Sequence, residues 1–170
     1  MKRIARFLKV SPDLFIAAVK EGYPWYGEAE IRDMYEALRL PARATRGSAG
    51  YDFFAPFTFS LPPGGTIKVP TGVRVWMEEN WVLNLYPRSG LGFKYRLQMD
   101  NTVGVIDSDY YFSDNEGHIF IKITNDTNQN RTVEIKAGTA FAQGIFLEYG
   151  ITVDDDAEGV RNGGLGSTSA

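Results

Sequence analysis

The chain has 170 residues, 44% of them hydrophobic, with a net charge of −3 and no cysteine. That is one domain's length with enough apolar material for a real core, and it excludes disulfides, thiolate metal sites and a broad basic field for duplex nucleic acid. No apolar run nears the roughly 18 residues of a membrane span, and the start, Met1-Lys2-Arg3-Ile4-Ala5-Arg6-Phe7, carries charge without a long apolar stretch. A reducing compartment is expected, the cytoplasm, with no membrane and no direct nucleic-acid partner.

In chain order, residues 11–40 are expected to be helical. Ser11-Pro12 is a good N-cap and first-turn pair, Leu14, Ala18 and Val19 fall on one face, and Gly22 can end the helix. A second helix is expected from Glu28 to about Leu40, with Ile31, Met34, Tyr35 and Leu38 at helical spacing and Pro41 as the stop. From Ala49 to Gly150 the signals are those of strands. Trp81, Leu83 and Leu85 alternate with Val82, Asn84 and Tyr86; Ile119, Ile121 and Ile123 alternate with Phe120, Lys122 and Thr124; Val133 and Ile135 alternate with charged neighbours. Pro62-Pro63-Gly64-Gly65, Glu78-Glu79-Asn80 and Asn125-Asp126-Thr127-Asn128 read as turns. Many short strands without helices between them predict an all-β sandwich or barrel. Residues 1–153 therefore read as one β domain with a helical insertion at about 11–40. Residues 154–170 are acidic, then glycine-rich, without apolar periodicity, and read as a mobile arm hinged at Asp154-Asp155-Asp156.

Chemistry concentrates in five segments. Gly104-Val105-Ile106-Asp107-Ser108-Asp109-Tyr110-Tyr111 places two carboxylates two positions apart after an apolar stretch. In extended chain, Asp107, Asp109 and Tyr111 share one face, and Ser108 and Tyr110 take the other. Such a pair can activate water beside a flat or sugar-like ligand, or serve only a turn. Pro87-Arg88-Ser89-Gly90-Leu91 follows a strong strand. An Arg fork and a Ser hydroxyl suit phosphate, and they equally suit an exposed turn. Arg161-Asn162-Gly163-Gly164-Leu165-Gly166-Ser167-Thr168 offers backbone N–H groups and hydroxyls to phosphates, or is simply a flexible tail. Ala49-Gly50-Tyr51-Asp52 and Gly138-Thr139-Ala140-Phe141-Ala142-Gln143 complete the set.

Together and in this order, the five segments closely resemble the five motifs of the trimeric dUTP diphosphatases (dUTPases), of bacterial or phage type, from about Leu40 to Ser169. The resemblance implies a distorted jelly-roll-like β barrel, a homotrimer, and three active sites at subunit interfaces. It implies Mg²⁺-assisted hydrolysis of dUTP to dUMP and pyrophosphate, which limits uracil incorporation into DNA and supplies dUMP for dTMP synthesis. Residue by residue, Asp107 resembles the general base that activates water for in-line attack on the α-phosphorus. Tyr110 resembles the ring that packs under the deoxyribose and leaves no room for a 2′-hydroxyl. Asn101, Gly104, Val105 and Ile106 belong to the hairpin that pairs with the uracil edge. Arg88, Ser89 and Gly90 resemble the phosphate-contacting turn. Asp52 and Gln143 resemble residues that hold waters of hydrated Mg²⁺, Gln143 also touching substrate; few direct protein ligands is usual for this ion. Arg161, Gly164, Leu165, Gly166, Ser167 and Thr168 resemble the arm that closes over the γ-phosphate and base, in the family usually from another subunit. A phage-encoded chain would act in the host cytoplasm.

The chain departs from the family pattern. Leu165 stands where Phe usually stacks on uracil, the Arg161–Gly163 spacing is one residue short, and Ala140 replaces a common basic residue. Phe112-Ser113-Asp114-Asn115-Glu116-Gly117 reads as an insertion after the third motif, and residues 11–40 exceed the family minimum. His118 is the only histidine, so no histidine metal site or Ser-His triad can be built, and a structural role at a strand edge is expected. Trp25, Trp76 and Trp81 read as packing residues. Two alternatives stand beside the hydrolase: a dCTP deaminase-like enzyme on the same fold, and a non-catalytic nucleotide-responsive protein acting through a regulatory protein partner.

Overall fold

The computed structural model describes residues 2–159 and 161. In chain order its elements are β1 (Ala5–Lys9), α1 (Pro12–Gly22), α2 (Glu28–Ala37), β2 (Tyr51–Phe54), β3 (Phe59–Leu61), β4 (Thr66–Pro70), β5 (Val73–Met77), β6 (Trp81–Pro87), α3 (Ser89–Tyr95), β7 (Leu97–Met99) and β8 (Gly104–Ile106). A 3₁₀ helix (Ser108–Phe112), β9 (Phe120–Asn125), β10 (Val133–Ile135) and β11 (Ala140–Glu148) follow. Every pairing between strands is antiparallel. One sheet runs β2-β11-β6-β8, a second β4-β9-β7, and β1-β5 and β3-β10 are two-stranded. The result is an all-β, jelly-roll-like architecture with two helices laid on one side.

The strand periodicities expected from the sequence reappear as buried faces. Leu83 and Leu85 from β6, and Ile119, Ile121 and Ile123 leading into and along β9, meet Phe53 and Phe141 in the core. Burying such a side chain contributes about 1.5–3 kcal/mol, so this face alone fixes the register of both large sheets. The turn at Pro62–Gly65 forms, with Gly65 N donating to Pro62 O at 2.8 Å. Asn125, fully buried, donates from Nδ2 to Leu61 O and Arg131 O, which satisfies the polar groups of the turn after β9.

Five local expectations are corrected. The strands begin at β1, not at Ala49: β1 pairs with β5 from Ala5 opposite Met77 to Lys9 opposite Val73, so the helices are inserted after the first strand. The inward face of α1 is Phe15, Ile16 and Val19, with Leu14 and Ala18 only half-buried. α2 ends at Ala37, and Leu38 is already extended. Arg88-Ser89-Gly90 is no simple turn but the start of α3, with Arg88 as its N-cap. Trp25 and Trp76 are exposed rather than packed inside.

Candidate active site

Asp107 is placed by β8. That strand pairs with β6, Leu85 opposite Gly104 and Leu83 opposite Ile106. A Cβ at Gly104 would sit 3.0 Å from Leu85 Cβ, so glycine lets the two strands close here. The hairpin before β8 is tight: Thr102 N donates to Met99 O at 3.0 Å and Val103 N to Asn101 O at 2.7 Å, with Thr102 in the left-handed region at φ +63°. Asn101 and Val105 project to solvent at its edge. β8 then stops at Asp107, which caps the 3₁₀ helix; its carbonyl accepts from Tyr110 N at 3.2 Å.

This turn overrides the extended reading of the motif. Asp107, Asp109 and Tyr111 do not alternate against Ser108 and Tyr110. Instead Tyr110 turns into the core, 3% exposed, while Asp107 and Asp109 face outward. Both carboxylates converge on Arg161. Its Nη2 lies 2.5 Å from Asp107 Oδ2 and its Nε 2.9 Å from Asp109 Oδ1. The same guanidinium sits 5.8 Å from the Tyr110 ring centroid. Burial pushes the Tyr110 phenol above its ordinary pKa, against opposing effects of a hydrogen bond from Asn115 and the Arg161 charge. Asp107, Asp109, Asn84, Val105, Tyr149 and Arg161 line a cavity of about 800 Å³.

A second constellation lies around the start of α3. Arg88 Nε pairs with Asp52 Oδ1 at 3.1 Å. Asp52 sits opposite Gln143 in the β2–β11 register, and Gln143 Nε2 donates to Pro87 O at 3.1 Å. Leu91 N and Gly92 N both donate to Arg88 O, which leaves the N–H groups of Ser89 and Gly90 at the helix start without an intrahelical acceptor. Arg88, Ser89 and Gln143 line a cavity of about 590 Å³ with Tyr86, Phe93 and Ile145. Phe93 is 93% exposed.

The chain thus brings together Asp52, Arg88, Ser89, Gly90 and Gln143, and separately Asp107, Tyr110 and Arg161, with the hairpin residues Asn101, Gly104, Val105 and Ile106 beside them. It does not bring the two sets together. The two cavities share no lining residue. Asn84 in one and Arg88 in the other are separated by roughly 13 Å of extended chain. Gly164, Leu165, Gly166, Ser167 and Thr168 lie outside the described residues. Among the described residues, no group of three or more His, Asp or Glu side chains converges. Beside the phosphate-type turn lie the Asp52 carboxylate and the Gln143 amide, hard oxygen donors of the kind a hydrated Mg²⁺ accepts through water.

Sequence reasoning missed Asn115 and Arg74, which hold the turn after Asp107. Asn115 Nδ2 donates to Tyr110 Oη at 2.9 Å, and Arg74 Nη2 donates to Tyr111 O at 2.8 Å. Neither has a local signal: an Asn in a loop reads as turn chemistry, and an Arg in a strand as a solvated face. His118 is fully buried just before β9, where Nε2 accepts from Gly72 N at 2.9 Å.

The family profile described as dUTPase matches residues 36–169. The chain is 40% identical over 136 residues to a deoxyuridine 5′-triphosphate nucleotidohydrolase of Lactococcus lactis, covering 78% of this chain and 89% of that one. It is 37% identical over 135 residues to the protein of that name from Escherichia coli O45:K1, covering 75% and 85%. The crystal structure of the Streptococcus mutans dUTPase superposes with a TM-score of 0.62 at 33% identity, covering 86% of this chain and 97% of that one. In fold it also resembles the dUTPase of phage phi11 of Staphylococcus aureus, at TM-score 0.63 and 22% identity, covering 92% and 98%, a structure describing coordination of a structural Mg(II) ion. A family profile over most of the chain, and relatives sharing a third or more of its residues along most of their length, establish that this chain belongs to the dUTPase family.

Proposed function

We infer that the protein hydrolyses dUTP to dUMP and pyrophosphate, a reaction that keeps uracil out of DNA and supplies dUMP. The observation that carries this reading is Asp107 at the end of β8, half-exposed at a large cavity and flanked by the hairpin Asn101–Ile106. In the proposed step, Asp107 accepts a proton from water as its oxygen attacks the α-phosphorus; the Pα–O bond to the β-phosphate breaks and pyrophosphate leaves. Asn101, Gly104, Val105 and Ile106 receive the uracil edge, largely through backbone groups. Arg88, Ser89 and Gly90 receive phosphate oxygens. Asp52 and Gln143 would hold waters of a bound Mg²⁺, which would offset triphosphate charge. The relatives carry nucleotidohydrolase names, and the deaminase alternative is not retained.

The separation of the two constellations supports a shared site. A single chain holds the base in one cavity and the phosphate turn in another, so each complete site takes Asp107 from one copy and Arg88 from the next. The apolar patch formed by Phe93 of α3 with Tyr86 of β6 and Ile145 of β11 is suited to burial between copies. A homotrimer closes such a head-to-tail arrangement. Residues 154–170, with Arg161, Gly164, Leu165, Gly166, Ser167 and Thr168, act as an arm over the triphosphate and base, and residues 1–153 form the domain. No described helix is long and apolar enough to cross a membrane, and we place the reaction in the cytoplasm.

The test is pyrophosphate release from each deoxynucleoside triphosphate, with Mg²⁺ and with chelator. Selective, Mg²⁺-dependent release from dUTP is expected. Release of ammonia from dCTP, or no turnover of dUTP, would overturn the reading.

A further inference from the structure

The segment 112–118 does more than lengthen the chain after the third motif. It folds back over the turn that carries Tyr110 and closes on that residue's hydroxyl. Tyr110 Oη donates to His118 O at 2.8 Å and accepts from Asn115 Nδ2 at 2.9 Å. Both partners come from this one segment. Asn115 is itself fixed: its Oδ1 accepts from Ser113 Oγ at 2.8 Å and from Gly117 N at 3.2 Å. Two tight turns, Glu116 N to Ser113 O at 2.8 Å and His118 N to Asn115 O at 3.0 Å, hold the segment's backbone. Gly117 has φ +69°, and a Cβ there would lie 2.8 Å from both Tyr110 O and Tyr111 Cα, so only glycine permits this contact between segment and turn.

A second anchor lies beside the first. Arg74 of β5 stacks over the Tyr111 ring with its guanidinium carbon 3.8 Å from the centroid and donates to Tyr111 O. Its Nη1 is 3.7 Å from Glu116 Oε2, which accepts from Ser11 N at the head of α1. The inserted helices, the inserted loop and the 3₁₀ helix are therefore one connected unit. Within it Asn115 is the one side chain that grips the phenol, whose other partner is the backbone carbonyl of His118.

We propose that Asn115 is a positioning residue that sets the Tyr110 ring and thereby tightens selection of a 2′-deoxyribose over a ribose. This rests on the reading that Tyr110 packs against the sugar. On that reading the sugar meets the edge of an otherwise buried ring, and excluding one hydroxyl demands that this edge be held in a fixed place. A tyrosine tethered only through His118 O can pivot about that bond. With the second hydrogen bond from Asn115 the oxygen is held from two directions, and the ring plane with it.

The experiment measures kcat/KM for dUTP and UTP in the full-length protein, in Asn115→Ala, in Tyr110→Phe and in the double variant. Asn115→Ala is expected to lower the dUTP preference by about tenfold, the scale of one lost hydrogen bond to an ordered group. Tyr110→Phe, which removes that bond together with the one to His118 O and keeps the ring, should lower it at least as much. The double variant should lower it no further than Tyr110→Phe, because without the hydroxyl Asn115 has nothing left to hold. Unchanged preference in both single variants, or losses that multiply in the double variant, would overturn the proposal. Should Asn115→Ala not fold, Tyr110→Phe with unchanged preference overturns it alone. Tyr110→Ala separates this from the underlying reading: if it too preserves dUTP preference, the sugar contact itself is wrong. Preference lost there but kept in Asn115→Ala removes only the role of Asn115.

Discussion

Arg161 and Asp107 are partners within one chain: the guanidinium Nη2 lies 2.5 Å from the carboxylate Oδ2, and Nε reaches Asp109 Oδ1 at 2.9 Å. The arginine is only 17% exposed at its side chain, while the carboxylates are 47% and 53% exposed. A planar fork that spans two carboxylates is also suited to phosphate oxygens, and a triphosphate competes for the same donors. Arg161→Gln should weaken binding of a non-hydrolysable dUTP analogue by about tenfold or more, the scale of a hydrogen bond to a charged group. Calorimetry at several salt concentrations checks it, because the variant should also lose part of the salt dependence. Equal affinity and equal salt dependence in wild type and variant would remove Arg161 from the site.

The base is tested by Asp107→Asn, which keeps the shape and removes the proton acceptor. Turnover of dUTP should fall by at least about 100-fold, the lower end for general-base catalysis, with analogue binding retained. Asp109→Asn is the control. It breaks only a half-exposed ion pair, worth about 0.2–1 kcal/mol, so kcat should change by less than about fivefold. Reversal of these two outcomes would move the base to Asp109.

His118 links acidity to stability. Burial pushes its imidazole down from 6.5 to about 4, so it folds neutral with Nε2 accepting from Gly72 N. The unfolded chain binds a proton below about pH 6.5, which the folded chain refuses until about pH 4. Stability should therefore fall as pH drops through that window and level off below it, by about 3 kcal/mol in all. His118→Gln can keep the acceptor and cannot titrate. Urea unfolding at several pH values should show the slope between pH 6.5 and 4 in wild type and a shallower one in the variant; parallel curves would exclude His118 as a source.

Much of this was legible in the residues, for identifiable reasons. Ile119, Ile121 and Ile123 announce β9 because a half-buried strand must alternate, and Leu83 and Leu85 do the same for β6. The β1 strand carried no such certainty: its partner lies across both helices in sequence, so only tertiary pairing makes it a strand. α3 holds Gly90 and Gly92, poor helix formers, and local propensity argues against what the fold imposes. The 3₁₀ helix after Asp107 broke the expected alternation because burying the Tyr110 ring outweighs extending the strand. Asp107, Arg88 and Arg161 could be picked out because their segments come in a recognisable order. Asn115 could not, since its importance lies in a hydrogen bond to a ring whose burial only the fold reveals.

The last prediction concerns how the two constellations meet. Asp107 and Arg88 line different cavities of one chain, and the proposed shared site draws them from different copies. The assembly should sediment near three times the 19.0 kDa chain, about 57 kDa. Phe93, exposed beside Ile145 and Tyr86 at the phosphate turn, lies on the face that the proposed trimer would cover. A charge there would be desolvated on assembly, so Phe93→Glu should shift the protein toward monomer and abolish turnover without unfolding the domain. Complementation is the sharper measurement. Asp107→Asn and Arg88→Ala chains are each expected to be nearly inactive. Unfolded together and refolded as a mixture, they form assemblies in which an intact Asp107 faces an intact Arg88 across an interface. Some turnover should return, and mixing without subunit exchange should return none. An active monomer, or mixed assemblies as inactive as the parents, would mean that one chain builds the whole site and that the arrangement closes by a movement within it.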